Sequence, residues 1–317
     1  MTTEVSSERA VVLVSQDLER VDLPGWQSLV VQTLADAGLT AEFWDPADPT
    51  PRPGVRGLLV NAMTIGTPQL DVLPDLTSVV RFGSGIDNID VPECERRGIT
   101  VRNTPDPIGR EMAAATVSLV ISRLLRLREK ERRFREEGWG ARFGIHAEGV
   151  AGSIVGLVGA GRIARTTAAA LQAVGADVRF TSQDPRAAAD PFGMQMDLDA
   201  LCEAVDVLVV LSPLRDDTRN LIDAARIERL RRGAHLVVMG RGGVADQDAA
   251  IAALAAGRLG SLHLEVFTVE PFEARELPAI DGLTATAHDA AWGRSFFTNT
   301  LREAAARLSD AAQQPRP

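Results

Sequence analysis

Cysteine is nearly absent from this chain: only Cys94 and Cys202 occur in 317 residues, far apart and in no metal-ligand spacing. That rules out a disulfide framework, fits a reducing compartment, and leaves both thiols to be read as small buried residues. An excess of basic charge is missing too, since 34 Lys and Arg face 43 Asp and Glu for a net charge of −9, with no Lys/Arg-rich block. A phosphate-backbone footprint needs such a block, so no nucleic acid partner is expected. Nowhere does a run of ~18 apolar residues appear, the length that a membrane helix requires. Residues Met1 to Val14 show no basic segment followed by an apolar stretch and a small-residue cleavage site, so the expectation is a cytoplasmic protein without a membrane partner.

What is present is enough apolar material for a large core. With 45% hydrophobic residues and a usual domain size of about 100 to 200 residues, two lobes are expected. Short apolar runs alternate with helical patterns through the first hundred residues. Strands are expected at Ala10–Val14, Ala41–Trp44, Gly57–Asn61, Val79–Phe82 and Thr100–Arg102, with a helix over Gly25–Ala37. This alternation reads as a parallel α/β sheet. Thr104-Pro105-Asp106-Pro107 then punctuates the chain, and the periodicity predicts one long connecting helix from Glu111 to about Arg135. Its charged tail from Arg126 to Glu137 reads as a solvated face or a subunit contact.

A second alternating series follows, with strands expected at Ser153–Val158, Asp177–Thr181, Val207–Leu211, Ala234–Met239, Gly260–Glu265 and Thr284–Ala287. The fold class is therefore α/β with two doubly wound parallel-sheet lobes, a Rossmann-type dinucleotide-binding domain over residues 106–290 and a flavodoxin-like substrate domain over residues 1–105. Too little chain follows a last helix at about Gly293–Ala312 to make another domain, so residues 291–317 are expected to return to the first lobe and make it discontinuous.

The apolar strand Ile154–Val158 runs directly into Gly159-Ala160-Gly161-Arg162-Ile163-Ala164 and a further helix. In a Gly-x-Gly-x-x-Gly/Ala turn the first glycine makes the tight bend, and the second lets backbone approach a pyrophosphate. The last position only packs helix against strand, which Ala164 can do. Gly159, Gly161, Arg162 and Ile163 are thus cofactor candidates, with the helix N-terminus facing the phosphates. A carboxylate normally grips the adenosine ribose about 20 residues further on, but Ser182 stands there, followed by Gln183, Asp184 and Arg186. A hydroxyl with Arg186 nearby suits the 2′-phosphate of NADP; Asp184 reaching the ribose of NAD is the alternative. NADP is favoured slightly.

Three polar residues follow late strands: Arg241, Glu270 and His288. Reduction of a 2-oxo acid needs a cation for the carboxylate, a proton donor for the carbonyl oxygen, and a group that orients that donor. Arg forks two N–H bonds onto a carboxylate, His changes charge nearest neutrality, and a Glu bonded to an imidazole favours its charged form. Singly, an Arg after a strand is as often a surface ion pair, and a lone His a satisfied core residue. Their order and strand-end setting carry the reading. His263, inside an apolar strand, reads as core, and His146 and His235 show no partner pattern.

Five sequence words and a histidine, in order and over nearly the whole chain, resemble the D-isomer-specific 2-hydroxy-acid dehydrogenase family. They are Arg81 to Asp90, Gly98 to Pro105, Gly159 to Ala164, Arg241 to Asp246, Glu265 to Pro271, and His288. The resemblance implies Arg241 as carboxylate binder and carbonyl polariser, His288 as general acid/base, and Glu270 as its partner. It implies that Ser84 and Gly85 present backbone N–H groups to the substrate carboxylate, and that Asp87 and Asn88 shape that turn; Arg81 is a further substrate-binding candidate. Ser212, Pro213, Met239, Gly240 and Glu265 match positions lining the nicotinamide side, and Glu265 replaces the usual Asp. Met112 falls in the connector word, which departs from the usual Val-Ala-Glu. No metal is implied. A homodimer is implied, as is a small anionic 2-oxo or 2-hydroxy acid substrate. Asn61 stands where phosphoglycerate-using members carry Arg, which disfavours that substrate. Two other readings stay open: a dinucleotide-sensing, corepressor-like binding protein, and a specialised reductase of phosphonate or natural-product metabolism.

Overall fold

The structure is a computed structural model that describes residues 9–19, 21–184, 187 and 192–312. The chain divides into two compact units, Met1–Ile108 with Trp292–Pro317, and Gly109–Ala291.

The strands of the first unit are β1 Ala10–Ser15, β2 Leu39–Trp44, β3 Val55–Val60, β4 Ser78–Arg81 and β5 Thr100–Asn103. Its helices are α1 Gln16–Glu19, α2 Trp26–Asp36, α3 Thr67–Asp71 and α4 Val91–Arg96. All five strands are parallel, in the order β2-β1-β3-β4-β5. That is the flavodoxin-like order. The inner strands β1 and β3 are apolar along most of their length because helices cover both faces of the sheet. One core gathers Val12, Val14, Trp26, Leu34 and Phe82 against Phe296, Phe297, Leu301 and Leu308. The latter residues come from the last helix, Arg294–Ala312, which lies in this unit although it is the C-terminal element. Gly57 lets that helix approach, since a Cβ there would lie 2.9 Å from a Leu308 methyl and 3.0 Å from a Val12 methyl. The opposite face packs Leu13, Trp44, Leu58, Val60, Leu70, Val79 and Cys94.

The chain leaves the first unit through α5, Pro105–Leu124, followed by α6, Leu127–Glu137. This corrects the expectation of one helix from Glu111 to Arg135 in two ways. The Thr-Pro-Asp-Pro word opens α5 rather than preceding it, because a proline in the first turn lacks only an N–H that no intrahelical acceptor would meet. The run then breaks at Arg126, whose backbone is left-handed at φ 51°. Beyond the break α6 buries no residue and carries Arg132–Glu136, Arg133–Glu137 and Glu131–Arg135 pairs four residues apart. Exposed pairs of this kind contribute little each.

In the second unit the strands are β6 Ile154–Val158, β7 Asp177–Thr181, β8 Met194–Gln195, β9 Val207–Val210, β10 His235–Val238, β11 Ser261–Leu264 and β12 Leu283–Ala285. The helices are α7 Arg162–Ala173, α8 Leu198–Ala204, α9 Ala224–Arg229 and α10 Gln247–Ala255, and the returning helix of the first unit is α11. The sheet order is β12-β11-β10-β9-β6-β7-β8, all parallel. Counted from β6, this is the dinucleotide-binding order with one strand added outside β11, and its reversal point lies between β6 and β9. The two-residue β8 has no sequence signature and was not anticipated. Leu208, Val210, Leu236, Val238, Leu262 and Leu264 pack with Leu201, Ile227, Ala250 and Leu254 on one face. No helix among the described residues is long and apolar enough to cross a membrane.

Candidate active site

In a parallel sheet every strand points its carboxyl end the same way, so the loops after β6, β9, β10, β11 and β12 share one edge. Adjacent strands are ~4.8 Å apart, which brings residues distant in sequence to neighbouring loops.

The glycine turn sits at the reversal point. Gly159 has φ 111°, and a Cβ there would lie 3.2 Å from Ser212 Oγ and 3.3 Å from Ser212 N. Ser212 follows β9, is buried, and donates to the Val158 carbonyl at 3.1 Å. Gly161 caps α7 without a capping side chain, and nothing lies within 4 Å of where its Cβ would project. Open space beside a twelve-residue helix N-terminus suits a pyrophosphate, so these residues fit a dinucleotide. Arg162 and Ile163 begin α7. On the β10 side, Met239 is buried, its N–H and that of Gly240 both donate to Val210 O at 3.0 Å, and a Cβ on Gly240 would lie 2.4 Å from Ser212 O. Pro213 follows exposed.

Ser182 and Gln183 lie just past β7, where the Ser182 hydroxyl accepts from Asp184 N–H at 3.1 Å. Arg186 lies outside the described residues. Sequence reading passed over Arg215, which donates to Gln183 Oε1 at 3.2 Å while paired with Asp217 at 2.9 Å. Only the sheet order reveals it, because Arg215 follows β9 and meets the β7 loop across β6. Met112 is buried within α5, its carbonyl accepting from Thr116 Oγ1 at 2.7 Å.

His288 follows β12 and Glu270 follows β11, and the structure joins them: His288 Nδ1 lies 2.8 Å from Glu270 Oε2. An ionised carboxylate only accepts, so Nδ1 carries the proton and Nε2 is the nitrogen left for chemistry. Glu270 is anchored in turn, its Oε1 accepting from Phe267 N–H at 3.0 Å. His288 has a left-handed backbone, φ 58°, and its N–H donates to Glu265 O at 3.1 Å. A non-glycine residue in this region is uncommon and is held by its surroundings. Arg241 follows β10, with Nη1 donating to Gly240 O at 2.9 Å. The next residue, Gly242, approaches so closely that a Cβ would fall 1.9 Å from Phe267 C. Backbone contact therefore sets the Arg241 loop against the loop that carries Glu270.

Glu265 is fully buried; its Oε1 accepts from Ala290 N–H at 2.7 Å and its Oε2 from the Thr286 hydroxyl. Burial pushes its carboxyl above the usual range, against the pull of those two donors. His263 is core, as expected, yet bonded on both nitrogens, with Thr284 Oγ1 2.9 Å from Nδ1 and Thr286 Oγ1 3.4 Å from Nε2. His235 lies 2.8 Å from Ser261 Oγ through Nδ1. Burial, with Arg123 nearby, pushes both imidazoles down to about 4.

In the first unit, Arg81 ends β4 and donates to Asn61 Oδ1 at 2.9 Å and to the Phe82 carbonyl. Gly83, at φ 126°, turns the chain, and its N–H donates to Thr104 Oγ1 at 2.7 Å. Ser84 is exposed, and its carbonyl accepts from Asn103 Nδ2 at 2.6 Å; Gly85 follows it. Asn88 donates to the carbonyls of Asn61 and Met63 at 2.9 and 2.7 Å, fixing the segment after β3. Among the described residues no group of His, Cys, Asp and Glu could hold a metal ion.

A family model for the NAD binding domain of D-isomer specific 2-hydroxyacid dehydrogenases matches residues 117–290, more than half of the chain. The chain belongs to the D-isomer specific 2-hydroxyacid dehydrogenase family. It is 32% identical over 243 residues to a glyoxylate/hydroxypyruvate reductase of Arabidopsis thaliana, covering 75% of this chain and 76% of that protein. A second reductase of that description and organism is 29% identical over 311 residues, covering 96% and 94%. Among solved structures, an NADPH-dependent glyoxylate/hydroxypyruvate reductase from Sinorhizobium meliloti, complexed with NADP and malonate, matches with TM-score 0.79 and 26% identity over 97% of this chain and 95% of that one. As a member of this family the chain is an NAD(P)-dependent oxidoreductase of 2-hydroxy and 2-oxo acids.

Proposed function

We propose that the protein reduces a small 2-oxo acid of the glyoxylate or hydroxypyruvate kind, with NADPH preferred over NADH. The observation that carries the chemical part is the His288 Nδ1 to Glu270 Oε2 hydrogen bond of 2.8 Å, which leaves Nε2 as the reactive nitrogen. A nicotinamide dinucleotide bound along Gly159 to Ile163 supplies the hydride, or accepts it in the reverse direction. Gly161 and the α7 N-terminus hold its pyrophosphate, while Ser212, Pro213, Met239, Gly240 and Met112 bound the remainder. Glu265 is the remaining residue proposed for the nicotinamide side.

Arg241 forks its guanidinium onto the substrate carboxylate and draws electron density from the adjoining carbonyl. His288, as imidazolium, gives the Nε2 proton to the carbonyl oxygen while the carbon is reduced, leaving a hydroxyl and a neutral ring. In oxidation the neutral Nε2 takes the hydroxyl proton. Glu270 keeps Nδ1–H engaged in both states, so the ring neither flips nor changes tautomer. Ser84, Gly85 and Arg81 are further proposed substrate-binding residues. Support for NADPH comes from Ser182 in place of a carboxylate, from Arg215 bonded to Gln183, and from the NADPH-dependent relative. Arg186 is the other candidate cation.

The test is a spectrophotometric screen of glyoxylate, hydroxypyruvate, pyruvate, phenylpyruvate and phosphonopyruvate with each reduced cofactor, on wild type and His288→Ala. Turnover of the two-carbon or three-carbon acids is expected. In the variant kcat should fall about 10²- to 10⁴-fold, the usual contribution of a positioned acid/base, with cofactor affinity preserved. Tight cofactor binding without turnover of any acid would make the protein a sensor, and preference for phosphonopyruvate would make it a specialised reductase. Unchanged turnover in His288→Ala would remove the assignment.

A further inference from the structure

A line of polar side chains crosses the second unit beneath the His288 turn. Arg123 on α5 donates to Thr284 Oγ1, and Thr284 Oγ1 lies 2.9 Å from His263 Nδ1. His263 Nε2 lies 3.4 Å from Thr286 Oγ1, whose hydroxyl donates to Glu265 Oε2. The line ends where Glu265 Oε1 accepts from Ala290 N–H at 2.7 Å and Glu265 O accepts from His288 N–H at 3.1 Å. It joins α5, β11, β12 and the turn that carries the proposed acid.

The direction of every bond follows from its two ends. A guanidinium can only donate, and with Glu265 ionised its carboxylate can only accept. Thr284 therefore accepts from Arg123, and its own proton goes to His263 Nδ1 at 2.9 Å rather than to the Leu262 carbonyl at 3.5 Å. His263 then carries its proton on Nε2 and donates to Thr286, whose proton goes to Glu265. One protonation pattern satisfies all of them, with a neutral imidazole in the middle, consistent with the burial of His263 at 2% exposure. A leucine at 263 would pack as well in an apolar strand but would break the series at its centre.

We infer that His263 and Thr286 position His288, acting through Glu265, whose carboxylate holds the Ala290 amide and whose main-chain carbonyl holds the His288 amide. The inference rests on His288 being the proton donor and adds residues that touch neither substrate nor cofactor. It also gives a reason for a glutamate where the family usually has aspartate: here the carboxylate bridges a hydroxyl on one side of the histidine turn and an amide on the other. Ties at both ends of the turn hold His288 in the left-handed backbone from which its Nδ1 meets Glu270.

The test uses the full-length protein with saturating cofactor. Thr286→Val keeps the β-branched shape and loses only the hydroxyl, and Thr286 is exposed enough for the valine to be tolerated. Its kcat should fall at least tenfold, with KM for the 2-oxo acid and Kd for the cofactor within twofold of wild type. Thr286→Ser should return kcat to within threefold, a rescue that a merely structural role would not produce. His263→Leu, the second variant, should lower kcat by three- to tenfold while leaving the Thr286 to Glu265 contact in place. Both Thr286→Val and His263→Leu within twofold of wild-type kcat would overturn the inference. His288→Ala run alongside separates the two claims. If it stays active, the reading of His288 fails; if it is inactive while the other variants are unaffected, only the positioning role falls.

Discussion

Acidification from pH 7 to pH 5 should remove on the order of 4 kcal/mol from the stability of the Gly109–Ala291 unit, through His235 and His263. Both imidazoles are pushed from the usual 6.5 down to about 4 by burial and by the charge of Arg123. The folded state therefore holds them neutral while the unfolded chain protonates them below pH 6.5. Their contribution is complete above pH 6.5 and is lost as the pH falls toward 4, because unfolding takes up protons in that window. At pH 5 each group costs about 2 kcal/mol by this linkage, and the slope approaches about 1.4 kcal/mol per pH unit for each histidine. Glu265 acts with the opposite sign: its folded carboxyl is raised by burial, so lowering the pH relieves a cost and offsets part of the loss. Urea unfolding followed by circular dichroism between pH 4.5 and pH 8 measures the effect. The His235→Gln/His263→Gln double variant should lose most of the dependence. A midpoint that stays constant from pH 8 to pH 5, or a double variant as acid-sensitive as wild type, would refute the burial argument.

Two further outcomes follow from the geometry. Gly242→Ala would place a Cβ 1.9 Å from Phe267 C and 2.5 Å from Thr268 N. Both are backbone atoms, so the Arg241 and Glu270 loops must separate; thermal unfolding should shift down by the equivalent of about 1–3 kcal/mol, and kcat should fall well beyond what that shift explains. Ser182→Asp should raise the ratio of kcat/KM with NADH to that with NADPH at least tenfold, since a carboxylate there favours ribose hydroxyls and repels a 2′-phosphate. An unchanged ratio would show that the 2′ position of the ribose lies elsewhere.

The glycine turn and the strand-end placement of the proposed chemical groups were legible in local words. Gly159 and Gly161 are demanded by a turn that must bend sharply and leave room, and the apolar strand and helix around them confine the motif to one place in the sheet. The order Arg241, Glu270, His288 was legible because each follows an apolar run, and parallel strands end on one edge. Less local matters were not. The break at Arg126 lies in a sequence whose helical periodicity continues through it, and β8 is two exposed residues long, so no pattern announces either. Arg215 meets Gln183 only because the strand order places β6 between β7 and β9. His263 looked like filler for an apolar strand, since nothing in Leu262-His263-Leu264 says that both of its nitrogens find hydroxyls on β12 and just beyond it.

The residues alone thus determined the two doubly wound sheets and the glycine turn, and they set three candidate groups after late strands, for these follow from periodicity and from backbone requirements that act over a few neighbours. Which oxygen meets which nitrogen was decided by packing: the 2.8 Å bond from His288 to Glu270, the burial of Glu265 and the line of hydroxyls through His263 each join residues on different strands. Hydrogen bonds have a range of about 3 Å, and only folding brings separate segments within it.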